Sequence, residues 1–283
     1  MVSPAFVTFE ILVYILFLFA LVHAWRRGIA IVWQLLAGVL FGLLLEWATI
    51  QQLQAYEYGE FLVMFSEVPL SIGVAWGTII YTASLFSDST NLPEWIRPIL
   101  DALLALSIDL SMDAIAIRLG FWQWGIPVDE EFFGVPYANF WAWFWVVFSF
   151  SAGLRMFIHW KHPLADWAAP PAAIVSGVLG VLLTNRLIVY TTEIYPLYLS
   201  VIAAVILGAV ILVLLQRPRF VEPPHRLSAW VPTAFHAYYL IAGWASGIFS
   251  QTPILLLISL VMAAVALRIH WMNPGRERKL EVL

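Results

Sequence analysis

Three aspartates, Asp101, Asp109 and Asp113, stand in one apolar stretch, DALLALSIDLSMDAIAIRLG. At 100° per residue they lie within about 120° of one another on a helix, and Asp109 and Asp113 are about 6 Å apart along its axis. That face cannot point at lipid, because an ionisable side chain in a membrane helix is expensive and marks a functional candidate. A further acid, Glu46, sits in the apolar run LLLEWATIQQ. Carboxyl groups held away from bulk water are suited to giving and taking protons. They also have structural uses, paired with tyrosine, tryptophan, serine or arginine of a neighbouring helix. Asp101, beside Arg97 at a helix start that welcomes acids, reads as structural. Asp113, deep in the apolar stretch and near an acidic aromatic loop, reads as functional. Glu46 alone reads equally as a helix clamp, and gains weight from a depth that matches that of Asp113.

Two loops add polar and aromatic groups. One, QLQAYEYGEFLVMFSEVP, carries Tyr56, Glu57, Tyr58 and Glu60; the other, GFWQWGIPVDEEFFGVPYANF, carries Trp122, Trp124 and Asn139. With 15 tryptophans in the chain, many must belong to the belt where Trp and Tyr meet the membrane surface. Asn139, close behind Pro136, has the alternative duty of satisfying backbone at a helix start. His159 and His162 have the spacing of a metal pair but no carboxylate at a supporting position, which favours a surface role. His236, alone in an apolar run, reads as a packed, hydrogen-bonded residue.

These groups need a scaffold, and composition names it. The 283 residues are 62% hydrophobic and 11% charged, with mean hydropathy +0.87, far too apolar to cover a soluble globule. The expectation is an all-α, polytopic transmembrane bundle forming one integral-membrane domain over 1–283. The net charge of −4 and scattered basic residues exclude nucleic acid as a partner, and the absence of cysteine excludes disulfides and thiolate chemistry. Membrane lipids are the implied surroundings. The first apolar run, with Arg26 and Arg27 directly after it and no cleavage site, reads as a retained span rather than a signal peptide.

About 20 apolar residues are needed to cross, and nine stretches qualify: 5–24, 28–52, 67–87, 97–119, 136–158, 169–190, 197–216, 230–249 and 252–270. Residues 217–229 then form a loop and 271–283 a tail. Nine spans place Arg26, Arg27, Arg97, Arg155, Lys161, Arg217, Arg219, Arg226, Arg268, Arg276, Arg278 and Lys279 on one side and only Arg118 and Arg186 on the other. That asymmetry puts the carboxyl terminus in the cytoplasm and the two acidic aromatic loops on the opposite side. An eight-span arrangement would part the tail from its basic partners. The two loops also echo each other: Glu67-Val68-Pro69 and Gly134-Val135-Pro136 each open a helix, with Trp76 and Trp143 seven residues after the prolines. A duplicated two-helix unit would leave this trace, and so would chance in a chain this aromatic.

An acid in the second helix, a Tyr/Gly loop leading to Val-Pro, and DxxxDAIAIRLGFWQW running into FFGVPYANFWAWF together resemble the integral-membrane carotenoid hydratases of the CruF type, the carotenoid biosynthesis protein family. The resemblance is sharpest over residues 46–144. This chain has Ala114 where the family usually has proline, and Ala142 where it usually has glycine. The resemblance implies an enzyme that adds water across the terminal isopropylidene double bond of an acyclic carotene end, giving a tertiary alcohol. The implied substrate is a lycopene or γ-carotene-like polyene taken laterally from the lipid phase. Protonating such an alkene makes a tertiary carbocation, which asks for an acid in a dry cavity, electron-rich faces and one placed water. Asp113 is then the acid, with Glu46 or Asp109 holding or deprotonating the water or keeping the proton on Asp113. Trp122, Trp124, Phe133 and Tyr58 supply faces for the cation, Asn139 orients water, and Glu57, Glu60, Gly134, Pro136 and Trp143 complete the substrate surface. The chemistry asks for neither a metal nor a redox cofactor.

Two other classes compete. DLSMD offers one D-x-x-x-D of the kind with which membrane prenyltransferases hold magnesium on a diphosphate, but a second acidic cluster and basic partners are missing from the sequence. A non-catalytic carotenoid or isoprenoid-binding subunit would use the same aromatic wealth without turnover.

Overall fold

The computed structural model describes residues 3–53, 56–194 and 197–271. Its helices are α1 (Pro4–Arg27), α2 (Ile29–Leu53), α3 (Leu70–Asp88), α4 (Arg97–Arg118), α5 (Tyr137–Ile158), α6 (Ala165–Ile194), α7 (Tyr198–Leu215), α8 (Leu227–Ala245), α9 (Ile248–Gln251) and α10 (Pro253–His270). Seven of them, α1, α2, α3, α5, α6, α7 and α10, are long and apolar enough to cross a membrane. This is an all-α polytopic bundle, as the composition requires. The nine expected spans each meet a long helix, with shifted ends. The loop drawn at 217–229 is shorter, because α8 already starts at Leu227. Its other end comes at Ala245, where Gly247 turns the chain with φ 74° into the four residues of α9. The tail drawn from 271 lies, from residue 272 onward, outside the described residues.

The apolar windows of α3 and α7 are 83% and 17% buried, which separates inner from outer helices. Beside α3 runs α4, packed on α3, α5, α7, α8 and α10. A helix carrying three aspartates has no other place to go, because only protein neighbours can satisfy them. The crossing of α2 on α3 is close: a Cβ on Gly38 would stand 3.0 Å from the Cα of Gly77, the small-residue approach that membrane helices favour.

At one end, Asp101 accepts hydrogen bonds from Ser151 Oγ at 2.5 Å and Arg155 Nη2 at 3.0 Å, and Arg155 also bonds Asp88. This is the structural role read for Asp101. His159 faces Glu94 at 2.7 Å on the surface, and His162 stacks on Trp160. At the other end the two aromatic loops are joined. The two-residue strand β1 (Glu57–Tyr58) pairs antiparallel with β4 (Trp122–Gln123), and a second small ladder joins β2 (Met64–Phe65) to β3 (Val68–Pro69). Pro69 and Pro136 are the N-caps of α3 and α5, in extended conformation. Proline lacks an N–H, and Glu131 Oε2 instead takes the first free amide of α5, from Tyr137, at 2.6 Å.

Candidate active site

Where α4 ends, Arg118 donates to the carbonyls of Ala114, Phe133 and Val128 at 2.8 to 2.9 Å. It ties the helix to the loop that follows. Gly120, at φ 81°, reverses the chain there, so that Trp122 reaches back nine residues and donates its indole N–H to Asp113 Oδ1 at 2.5 Å. In the first turn of α5, Asn139 Nδ2 donates to Asp113 Oδ2 at 2.6 Å and to Asp109 Oδ2 at 3.1 Å. One amide thus bridges the two aspartates that helical geometry placed on one face. All three residues are buried.

The opposite acid is held as fully. Glu46 Oε1 accepts from Trp76 Nε1 at 2.7 Å, and Oε2 accepts from the hydroxyls of Tyr58, at 2.8 Å, and Tyr56. The loops position these donors: Tyr58 sits opposite Trp122 in the β1–β4 ladder. Gly59 follows with no room for a side chain, since a Cβ there would stand 2.3 Å from the carbonyl oxygen of Gly120.

Between the two acids lies a cavity of about 340 Å³. Of the residues singled out in the sequence, Glu46, Tyr56, Tyr58, Trp76, Asp113, Trp122, Trp124, Pro136, Asn139, Ala142 and Trp143 line it. Trp143 packs against Trp76 with ring centroids 4.2 Å apart, so the tryptophans of the echoed segments meet. Asp109 is completely buried and reaches the cavity only through Asn139. Glu57 and Glu60 are exposed and do not line it. Phe133 packs edge-on against Phe132, also away from the cavity. Gly134 is there for its backbone, at φ 90°, where a Cβ would press on Val128 at 2.9 Å.

Other functional candidates escaped the sequence reading. Phe9, Thr49, Asn185 and Phe235 complete parts of the wall. The indole N–H of Trp124 is buried without a protein acceptor. Toward α6 the wall reaches Val189, which is 43% exposed. Glu10, fully buried in α1, accepts the amide of Leu62 at 2.5 Å and so clamps the loop that carries β1. Its signal was present, as the lone acid of the first apolar run.

Fold and site define an integral membrane protein with two separately held carboxyl groups on one apolar, tryptophan-walled cavity. The chain belongs to the carotenoid biosynthesis protein family, whose model matches residues 2–213. No curated protein and no solved structure matches it. Its role therefore lies in carotenoid biosynthesis.

Proposed function

We propose that the protein is a cofactor-independent carotenoid hydratase acting on an acyclic carotene end. The observation that carries this reading is the placing of Asp113 and Glu46 on the wall of a single apolar cavity, each with its own set of donors. A carboxyl group offers about four lone-pair sites. Asp113 accepts two hydrogen bonds, which leaves room for a proton aimed at substrate. Glu46 accepts three, which leaves one site for a water. In the proposed reaction Asp113 gives its proton to the less substituted carbon of the terminal double bond. The tertiary cation forms against Trp122, Trp124 and Trp143, whose ring faces attract it. Water adds to the cationic carbon, its proton passes to Glu46, and return of that proton to Asp113 closes the cycle with one water consumed. Asp109, behind Asn139, sets the charge next to the acid. Trp124 N–H is the donor free to hold the oxygen. The polyene chain would leave past Val189 into the lipid, and the loops bearing the site would lie on the side opposite a cytoplasmic carboxyl terminus.

A magnesium diphosphate site on Asp109 and Asp113 is disfavoured because donors, Trp122 N–H and Asn139 Nδ2, already occupy these carboxylates. The test is expression in a host that accumulates lycopene or γ-carotene, with mass spectrometry of the pigments. A product heavier by one water, absent with Asp113→Asn, is expected. Pigment that copurifies unchanged with the wild-type chain would replace this reading by that of a carrier.

A further inference from the structure

Three helices that pack on one another, α4, α8 and α10, share a seam with unusual polarity. On it, His236 Nδ1 lies 2.9 Å from Ser111 Oγ. Its other nitrogen, Nε2, is buried with no protein partner, and the same holds for Tyr239 Oη, Ser259 Oγ, His270 Nδ1 and Asp109 Oδ1. The five residues are between 0% and 5% exposed. Together they supply five of the nine such atoms among the described residues, so the deficit is concentrated here and not spread over the bundle.

Four of the five groups follow one another across the seam, and Ser259 lies on the stripe of α10 that faces it. Ser259 and His270 belong to the single buried stripe of α10, with Leu255 and Ala266, and their spacing of eleven residues brings them to the same side of the helix. His270, the last residue of α10, is seated against Phe86 and is within electrostatic reach of His236. Tyr239, one turn beyond His236 on α8, is within electrostatic reach of Asp109 and Asp113. Asp109 shares the amide of Asn139 with Asp113, and Asn139 lines the cavity. Buried polar groups are nearly always hydrogen-bonded to protein or to ordered water, and a site with several convergent polar atoms is where buried water is held.

We propose that the α4–α8–α10 seam binds a file of ordered water running from His270 past His236 and Tyr239 to Asp109, and that this file feeds the cavity at Asn139. Only the last clause rests on the hydration reading, which requires one water per turnover in a cavity whose walls are largely apolar. Water taken from the seam keeps the lipid-facing side of the cavity free for the polyene.

The test is X-ray hydroxyl-radical footprinting of the full chain in lipid nanodiscs, which oxidises side chains beside bound water. Tyr239 should be oxidised at least about tenfold faster than Phe41 and Phe150, rings just as buried but away from the seam, if ordered water lies next to it. A rate within about twofold of theirs overturns the proposal. His270→Leu should lower the Tyr239 rate about tenfold by closing the file at its end, and an unchanged rate overturns that route. Should this variant unfold, seen as oxidation of Phe41 and Phe150, His236→Leu replaces it with the same expected result and the same overturning one. The readout is independent of product. A chain labelled at Tyr239 that hydrates no carotene sinks the functional reading and leaves the file standing, whereas one that hydrates without labelling sinks the file alone.

Discussion

Tyr58 and Trp122 face each other across the β1–β4 ladder, ring centroids 6.1 Å apart, and each donates to a different buried acid: Tyr58 to Glu46, Trp122 to Asp113. The pairing makes one rigid bracket of two loops that lie more than sixty residues apart in the chain, and it fixes the positions of both carboxyl groups at once. A change at either loop is thus felt by both acids.

Trp122→Phe keeps a ring in the wall and the backbone pairing of β4, and removes only the indole N–H from Asp113. Losing a hydrogen bond to a carboxyl group costs about 1.5–3 kcal/mol, which corresponds to a fall in turnover of about 10–100-fold. Steady-state assay of hydrated product should show this fall in kcat with little change in KM. Equal turnover would remove Asp113 from the proton-transfer role.

Gly59→Ala tests the bracket itself. The new methyl group would stand 2.3 Å from a backbone oxygen of Gly120, and backbone cannot yield as a side-chain tip does. A loss of about 1–3 kcal/mol is expected from such overpacking, read as a lower Tm in detergent together with lower turnover. A Tm within error of wild type would show that β1 and β4 are free to part.

Much of this site was legible in the sequence because the membrane makes polarity conspicuous. Asp113 and Glu46 stood out as acids in apolar runs, and helical periodicity put Asp109 and Asp113 on one face, where Asn139 bridges them. The ladder that unites the loops was not legible, since strands of two residues are too short for any alternation to appear. Nor does periodicity say which of two aspartates one turn apart meets the cavity; the packing of α5 decides that, turning Asp113 to the wall and leaving Asp109 behind Asn139. Glu57 and Glu60 were drawn toward the site by their neighbours Tyr56 and Tyr58. Alternation along the extended segment leaves Glu57 in solvent. Gly134 belongs to the motif for its backbone angle, a property no contact of its own would reveal.

Glu10 anchors the same bracket through the amide of Leu62, and Tyr14, one turn on in α1, donates its hydroxyl to the other oxygen of Glu10. Glu10→Ala leaves the partly buried amide of Leu62 without its acceptor and should cost about 1–3 kcal/mol, whereas Glu10→Gln keeps an oxygen for Leu62 and should cost less. The check is thermal unfolding of both variants. If alanine and glutamine lowered Tm equally, the amide contact would not be what holds the loop.

Ala142 separates the cavity's role from the stability of the bundle. It lines the wall between Asn139 and Trp143, on a face of α5 that meets open space rather than a packed neighbour. Ala142→Leu would place three more carbons in a cavity of about 340 Å³. Burying apolar surface in an existing void avoids the strain of overpacking and gains about 0.8 kcal/mol per methylene, so Tm should hold or rise. Turnover should fall at least about tenfold, because the substrate end and the leucine compete for one volume and a displaced reacting carbon loses its alignment with the acid. Ala142→Gly enlarges the same space and should retain product. Thermal unfolding and product assay on the two variants distinguish the cases: a leucine variant that is stable and fully active would mean that the carotene end binds elsewhere.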